Sequence, residues 1–246
     1  MAISQKGCLV VHGLTGTPAN VAFITQALEA KGYIVKAPLL YGHGKDVTTL
    51  ANSTWQHWYG SVLHAHRELS KTVERVFYVG ISMGGLLGLK LAQELGNSLK
   101  GLALLGVPWK LRPIFSCLVI PSVRYTPLRF VIESTAKNFE KSVLDPKGRE
   151  LYRENSLARM PSKAVFQMED LAREVKKGLK KVSQPLLLIH GLRDHLADPK
   201  GMLDIKKRVS SKQVDVCMME HSAHVLTLDY DHQEVAKKVL NFFESL

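Results

Sequence analysis

Short runs of apolar residues alternate along this chain with longer stretches whose apolar positions recur every three or four residues. The runs at 7–12, 33–37, 75–80, 99–106, 185–190 and 214–219 predict strands. The first, third and fifth are rich in Val and Leu, lack polar alternation and end in Gly or His-Gly, as strands covered on both faces do. The helical patterns fall between them, at 18–31, 54–72, 83–95, 199–209 and 232–244. Strands separated by helices predict βαβ units, hence a mostly parallel sheet with helices on both faces.

The regularity breaks between 107 and 182, a stretch too long for one crossover. Its early part, WKLRPIFSCLVIPSVRYTPLRFVI, is apolar and aromatic and is punctuated by Pro113, Pro121 and Pro127. Its later part has helical periodicity. Long loops in compact domains are usually functional. The expectation is therefore a core made of 1–106 and 183–246, with 107–182 inserted as a helical cap above the C-terminal ends of the strands. The alternative is an excursion packed beside the sheet. Phe115, Leu118 and Phe130 in the early part are candidates for an apolar substrate pocket.

The 246 residues suffice for one α/β domain with an insertion, and 46% hydrophobic with 22% charged residues is a globular composition. No uninterrupted apolar run reaches the ~18 residues a spanning helix needs. The N-terminal residues, MAISQKGCLVVHG, lack the charged start and cleavage site of a signal peptide. Cys8, Cys117 and Cys217 are odd in number and widely spaced, which fits reduced thiols in the cytoplasm. A net charge of +11 favours anionic surfaces or serves solubility. The basic run at 173–181 reads as a solvated helix face. Without basic–aromatic interleaving or a known module, no nucleic-acid partner is expected. Arg112, Arg124 and Arg129 interleave with apolar residues. They either solvate the cap, the favoured reading, or let it rest weakly on anionic lipid.

The most specific chemistry lies in RVFYVGISMGGLLGLKLA, a strand, a tight turn and a helix. At its centre Gly80-Ile81-Ser82-Met83-Gly84 has the G-x-S-x-G form. Glycines flank a turn too tight for side chains, and the serine is held exposed at the sheet edge. The N–H groups of the following helix point to where negative charge would develop. In this context the motif resembles the nucleophile elbow of the α/β-hydrolase superfamily. That resemblance implies an acid and then a histidine after Ser82 in the chain. Asp194, four residues beyond the strand ending at 190, fits the acid better than Asp198, which precedes Pro199 and looks like a helix cap. His224 and His221 both lie after the last strand. His43, His57, His64 and His66 read as loop-shaping, packing or surface residues, and no metal-ligand spacing is present.

HGLTGTP, YGHG, GISMGG, HGLRD and HSAHVLTLD occur in an order and spacing similar to those of bacterial carboxylesterases and monoacylglycerol lipases. The resemblance implies His224 as base, Asp194 as acid, and backbone N–H groups of Leu14 and Met83 as the oxyanion hole. It implies hydrolysis of carboxylic esters of short- to medium-chain acids through an acyl-enzyme on Ser82, with no cofactor and no metal. Its partner would be a small-molecule ester. Ala223 departs from the usual glycine, and the family's leading antiparallel strands are expected to be missing or vestigial. Thioesterase, peptidase and lysophospholipase chemistry on the same triad stay open, as does a non-catalytic binding protein.

Overall fold

A computed structural model of the chain describes residues 5–246. The first four residues of the segment read above for a signal peptide lie outside it. Six strands form one parallel sheet: β1 (Lys6–Val11), β2 (Ile34–Lys36), β3 (Arg75–Ile81), β4 (Leu99–Leu105), β7 (Leu186–Gly191) and β8 (Val214–Met219). Their order is β2-β1-β3-β4-β7-β8, and every pair is parallel. All six predicted strands are present, with ends within one residue of the expected ones.

Alternate side chains of each strand enter two separate cores, as the two-residue period requires. Leu9, Val11, Val76 and Tyr78 join one cluster; Cys8, Val10, Phe77 and Val79 join the other. Helices α3 (Trp55–Leu69) and α4 (Met83–Leu95) cover the first face with Trp58, Val62, Leu86 and Leu89. Helices α1 (Ala22–Glu29) and α10 (His232–Glu244) cover the second with Ile24, Leu28, Val239 and Phe243. Each such side chain contributes about 1.5–3 kcal/mol on burial. The remaining helices outside the insertion are α2 (Val47–Ala51), which the sequence pattern does not show, and α9 (Gly201–Arg208).

The segment 107–182 is less uniform than the expected helical cap. A π-helical turn at Ile114–Val119 runs into α5 (Ile120–Arg124). Pro121 has no N–H to return to the preceding turn, so regular α-helical bonding is interrupted there. A 3-10 turn at Pro127–Phe130 follows, then β5 (Ser134–Ala136), α6 (Phe139–Ser142), α7 (Pro146–Glu154) and β6 (Arg159–Pro161). β5 and β6 pair antiparallel as a small second sheet that the sequence reading lacks. The last helix, α8 (Ser162–Gly178), packs on α3 and α4 and buries Leu171 and Val175 in the first core. The part before α8 is more open, although Val107 and Trp109 enter the first core and Val143 and Tyr152 the second.

The insertion is tied down by polar contacts. Arg124 reaches Glu169 at 3.1 Å and Asp170 at 2.8 Å, both on α8. The fully buried Asp229 accepts backbone N–H bonds from Leu144, Asp145, Tyr230 and Ala223. Among the described residues, no helix is long and apolar enough to cross a membrane.

Candidate active site

In a parallel sheet all C-terminal strand ends share one edge, where ligands of such sheets gather. Ser82 follows β3, Leu14 follows β1, Asp194 follows β7 and His224 follows β8. The order of motifs along the chain becomes a single cluster at that edge.

The turn after β3 is as tight as its glycines imply. Ser82 has φ 53° and ψ −119°, a conformation that side chains rarely adopt. A Cβ on Gly80 would lie 2.4 Å from the Gly84 carbonyl oxygen, and one on Gly84 would lie 2.4 Å from that of Val11. A side chain at Gly84 would push the elbow off β1, and one at Gly80 would force the turn itself open. The Tyr78 hydroxyl donates to the Gly84 carbonyl at 2.7 Å, and the Ser82 N–H donates to Leu105 at 2.7 Å. These bonds hold the strained serine in place.

His224 Nε2 lies 2.9 Å from Ser82 Oγ, and its Nδ1 lies 2.7 Å from Asp194 Oδ2. A carboxylate only accepts, so Nδ1 carries the proton and Nε2 is left to accept from the serine hydroxyl. Asp194 Oδ1 accepts the N–H groups of Leu196 at 2.8 Å and Ala197 at 3.0 Å. Burial acts to raise the Asp194 pKa. The facing His224 and the hydrogen bonds from His190 and His224 outweigh it and hold the carboxyl well below the usual carboxylate range. A serine hydroxyl bonded to an imidazole that a buried carboxylate orients can lose its proton as it attacks an electrophile.

The rejected alternatives stand elsewhere. Asp198 accepts from the Lys200 N–H and pairs with Lys110 at 3.6 Å, in a turn three residues ahead of the start of α9. His221 is exposed, and its backbone N–H donates to Asp231.

His190 is a participant the sequence reading passed over. It is fully buried at the end of β7 and donates from Nε2 to Asp194 Oδ2 at 2.8 Å. That oxygen therefore serves two imidazoles. The signal was available: a histidine four residues before the acid in HGLRD, inside an otherwise apolar run. His12 and His43 stand behind the loop after β1. The Leu40 N–H donates to His12 Nε2 at 3.2 Å, so its Nδ1–H donates to Gly13 O at 2.9 Å. Burial, with His43 nearby, pulls the His12 pKa down to about 3; burial pulls His43 down to about 4. Both rings are neutral; His12 bonds the loop that carries Leu14, and His43 packs edge-on against His12.

Leu14 follows β1 and Met83 follows Ser82 directly. Met83 is the first residue of α4, and neither its N–H nor that of Leu14 donates to a protein acceptor among the described residues. Gly13 comes so close that a Cβ there would lie 3.2 Å from Ser82 Cβ. Next to Leu14, Thr15 has φ 67° and accepts a 2.9 Å hydrogen bond from Lys137 Nζ.

A cavity of about 380 Å³ opens over Ser82 and His224. Phe115, Val119, Ile120 and Val123 of the insertion line it. Leu118 and Phe130, also expected in the pocket, do not: they are 57% and 72% exposed on the outer surface. On the helical segment 114–124, Phe115 and Val119 are one turn apart and share the inner face, while Leu118 projects outward. Phe130 lies beyond, in the 3-10 turn. Two of the three arginines are committed internally. Arg112 donates to the Asp194 carbonyl at 2.8 Å, and Arg124 holds α8. Both therefore cross-brace the insertion instead of solvating its surface.

Comparison with known proteins bears on the family and the fold. Residues 3–231 match the Hydrolase_4 family, described as serine aminopeptidase, S33. The chain is 28% identical to a thermostable monoacylglycerol lipase of Bacillus sp. (strain H-257), over 96% of this chain and 90% of the relative. It is 25% identical to a carboxylesterase of Bacillus subtilis (strain 168), over 98% and 94%. A solved structure from work on LipS and LipT, two metagenome-derived lipolytic enzymes, superimposes with a TM-score of 0.88 at 24% identity, covering 99% of this chain and 95% of the other. With the match spanning nearly its whole length, this chain belongs to the Hydrolase_4 family of serine hydrolases.

Proposed function

We propose that the protein hydrolyses carboxylic esters of short- to medium-chain acids, with Ser82 as nucleophile, His224 as base and Asp194 as the group that orients it. The observation that carries this is the unbroken line Ser82 Oγ–His224–Asp194 at 2.9 and 2.7 Å, opening into a largely apolar cavity. Ser82 Oγ attacks the ester carbonyl while His224 Nε2 takes its proton. The oxyanion is met by the N–H groups of Leu14 and Met83. His224 then protonates the leaving alcohol, and water repeats the sequence on the acyl-enzyme to release the acid. His190 shares the charge on Asp194 Oδ2.

The curated relatives named for esters support an ester over an aminopeptide substrate, although the family description mentions a peptidase. So does the cavity. Recognition of a free peptide amino group calls for a carboxylate, and none lines it. The segment 107–182 acts in this reading as the cap of the 1–106 and 183–246 core, its part before α8 forming the pocket roof. Three free cysteines fit a cytoplasmic setting. A weak association with anionic lipid would fall to Arg129 and the exposed Leu118, Phe130 and Val131, since Arg112 and Arg124 are engaged. The reading includes no nucleic acid.

A fluorophosphonate probe tests it. The wild type should be labelled at Ser82 and should hydrolyse p-nitrophenyl esters and monoacylglycerols of graded length; Ser82→Ala should do neither while remaining folded. An unlabelled wild type that cleaves no ester would overturn the reading.

A further inference from the structure

The cavity is apolar on one wall and basic on another. Residues 115–123 contribute the apolar wall, and the β5–α6 corner contributes Lys137, Asn138 and Lys141. No Asp or Glu lines the space. Lys137 is the unusual member. Its ammonium lies 4.0 Å from the Tyr152 ring centroid and 4.9 Å from that of Phe139, and it donates to Thr15 Oγ1 at 2.9 Å. Among the described residues no carboxylate comes within ion-pair distance of it. An ammonium has three hydrogens to give, and one of them has a protein acceptor here. Burial accordingly pulls its pKa down to about 7.

Asn20 backs the same wall and is 3% exposed. Its Oδ1 accepts the Thr17 N–H at 2.9 Å, and its Nδ2 is shut off from the open space, so Asn20 supplies no donor to a ligand there. Lys137 and Lys141 therefore supply the donors and positive charge of this wall, which asks for acceptor oxygens bearing negative charge.

We propose that the substrate is an ester of an apolar acyl chain with an alcohol that carries an anionic group, phosphate or carboxylate, seated against Lys137 and Lys141. This rests on the esterase reading above. The acyl chain takes the apolar wall at 115–123, which leaves the basic wall for the alcohol half. The chemistry is unchanged. The ester C–O bond breaks as Ser82 Oγ bonds the acyl carbon, His224 returns the proton to the alkoxide, and the alcohol departs with its anionic group intact. Burial of the anion beside Lys137 restores the full charge of the ammonium.

The test compares kcat/KM for three octanoyl esters of matched acyl length. They are 1-octanoylglycerol, which is neutral; 1-octanoylglycerol 3-phosphate; and O-octanoyl lactate, with a carboxylate. The wild type should prefer at least one anionic ester over the neutral one by about 10-fold or more, as charge-assisted hydrogen bonds require. Which anionic ester leads identifies phosphate or carboxylate as the group. Lys137→Met should lower the anionic-to-neutral ratio by about 10-fold, largely through KM, and Lys137→Arg should retain most of it. Lys141→Met, at an exposed position that tolerates change, should lower the ratio severalfold and keeps the test open if Lys137→Met fails to fold. A role for Lys137 confined to propping Thr15 would lower kcat on all three esters alike and leave the ratio unmoved. That result, or a wild type that favours the neutral ester, would overturn this inference alone. Failure to cleave any ester would overturn the esterase reading and this one with it.

Discussion

Two regions meet at the cavity and reach it by different means. At the sheet edge, Ser82 and Asp194 follow buried strands and His224 follows the edge strand β8, and hydrogen bonds of 2.7–2.9 Å link them. Their loops are held by backbone bonds and by glycines with no room for a side chain. Across the cavity, residues 107–161 contribute single side chains from short helices and a three-residue strand pair. Many of their neighbours, such as Leu118, Tyr125, Phe130 and Val131, face solvent. The difference separates two requirements. Bond making tolerates errors of a fraction of an ångström, so it sits on rigid elements. Recognition of a chain or head group is set by side chains that a loop-rich insertion can exchange without disturbing the elbow.

The contrast should break most visibly at the base. His224→Ala should lower kcat by about 10⁴-fold or more, because the serine loses its proton acceptor. His221→Ala, three residues away and exposed, should stay within about twofold, since its contact here is a backbone one. Steady-state kinetics on one ester decides it, and equal losses would remove His224 from its assigned place.

A smaller effect concerns stability of the sheet edge in acid. His12 and His43 keep folded pKa values near 3 and 4, against about 6.5 unfolded. Between those limits the unfolded chain binds protons that the folded chain refuses. Stability should therefore fall as pH drops from about 6.5 towards 4, by up to about 1.4 kcal/mol per pH unit for each histidine. His66 and His195, also lowered by burial, add the same sign. Asp194, whose pKa is depressed, loses its contribution only below the ordinary carboxylate range. Urea denaturation at a series of pH values should show the slope, and His43→Gln should flatten it. A stability that is level between pH 4 and 6.5 would contradict the buried, neutral state of these rings.

The smallest effects belong to the insertion. Phe115→Ala enlarges the apolar wall and should shift preference towards longer chains, on the scale of about fourfold per methylene that 0.8 kcal/mol allows. Leu118→Ala and Phe130→Ala should leave the chain-length profile of kcat/KM unchanged. A shift in either outer variant would mean that the insertion closes further over bound substrate than the structure shows.

Much of the sheet was legible because both of its signals are local. Buried strands appear as short unbroken apolar runs, and the helices at 83–95 and 232–244 match α4 and α10 at both ends. Glycines around Ser82 carry their own steric explanation. The insertion was harder to read. Ser134–Ala136 and Arg159–Pro161 are too short to show a two-residue period. The inward face of 114–124 depends on a π-helical turn that propensity does not reveal, so Leu118 could not be told from Phe115. Nothing in the sequence singles out Lys137; it becomes distinctive only where the fold sets it against two aromatic rings. His190 was hidden for the opposite reason, a polar residue in an apolar run that looked like a strand end.

Asp229 has a wider consequence. One carboxylate, fully buried, accepts N–H bonds from the middle of the insertion at Leu144 and Asp145 and from Ala223, the residue before His224. Opening at Ala223 takes from Asp229 Oδ2 its N–H donor, and opening at Leu144 and Asp145 takes two of the three N–H donors from Oδ1, so the two segments should open as one cooperative unit. In native-state hydrogen exchange the amides of Leu144, Asp145 and Ala223 should share a single opening free energy, although about 80 residues separate them in the chain. A molecule that loosens the insertion would then also release the imidazole from Ser82. The same carboxylate that anchors the roof thus makes the reactivity of the serine report on whether the roof is in place.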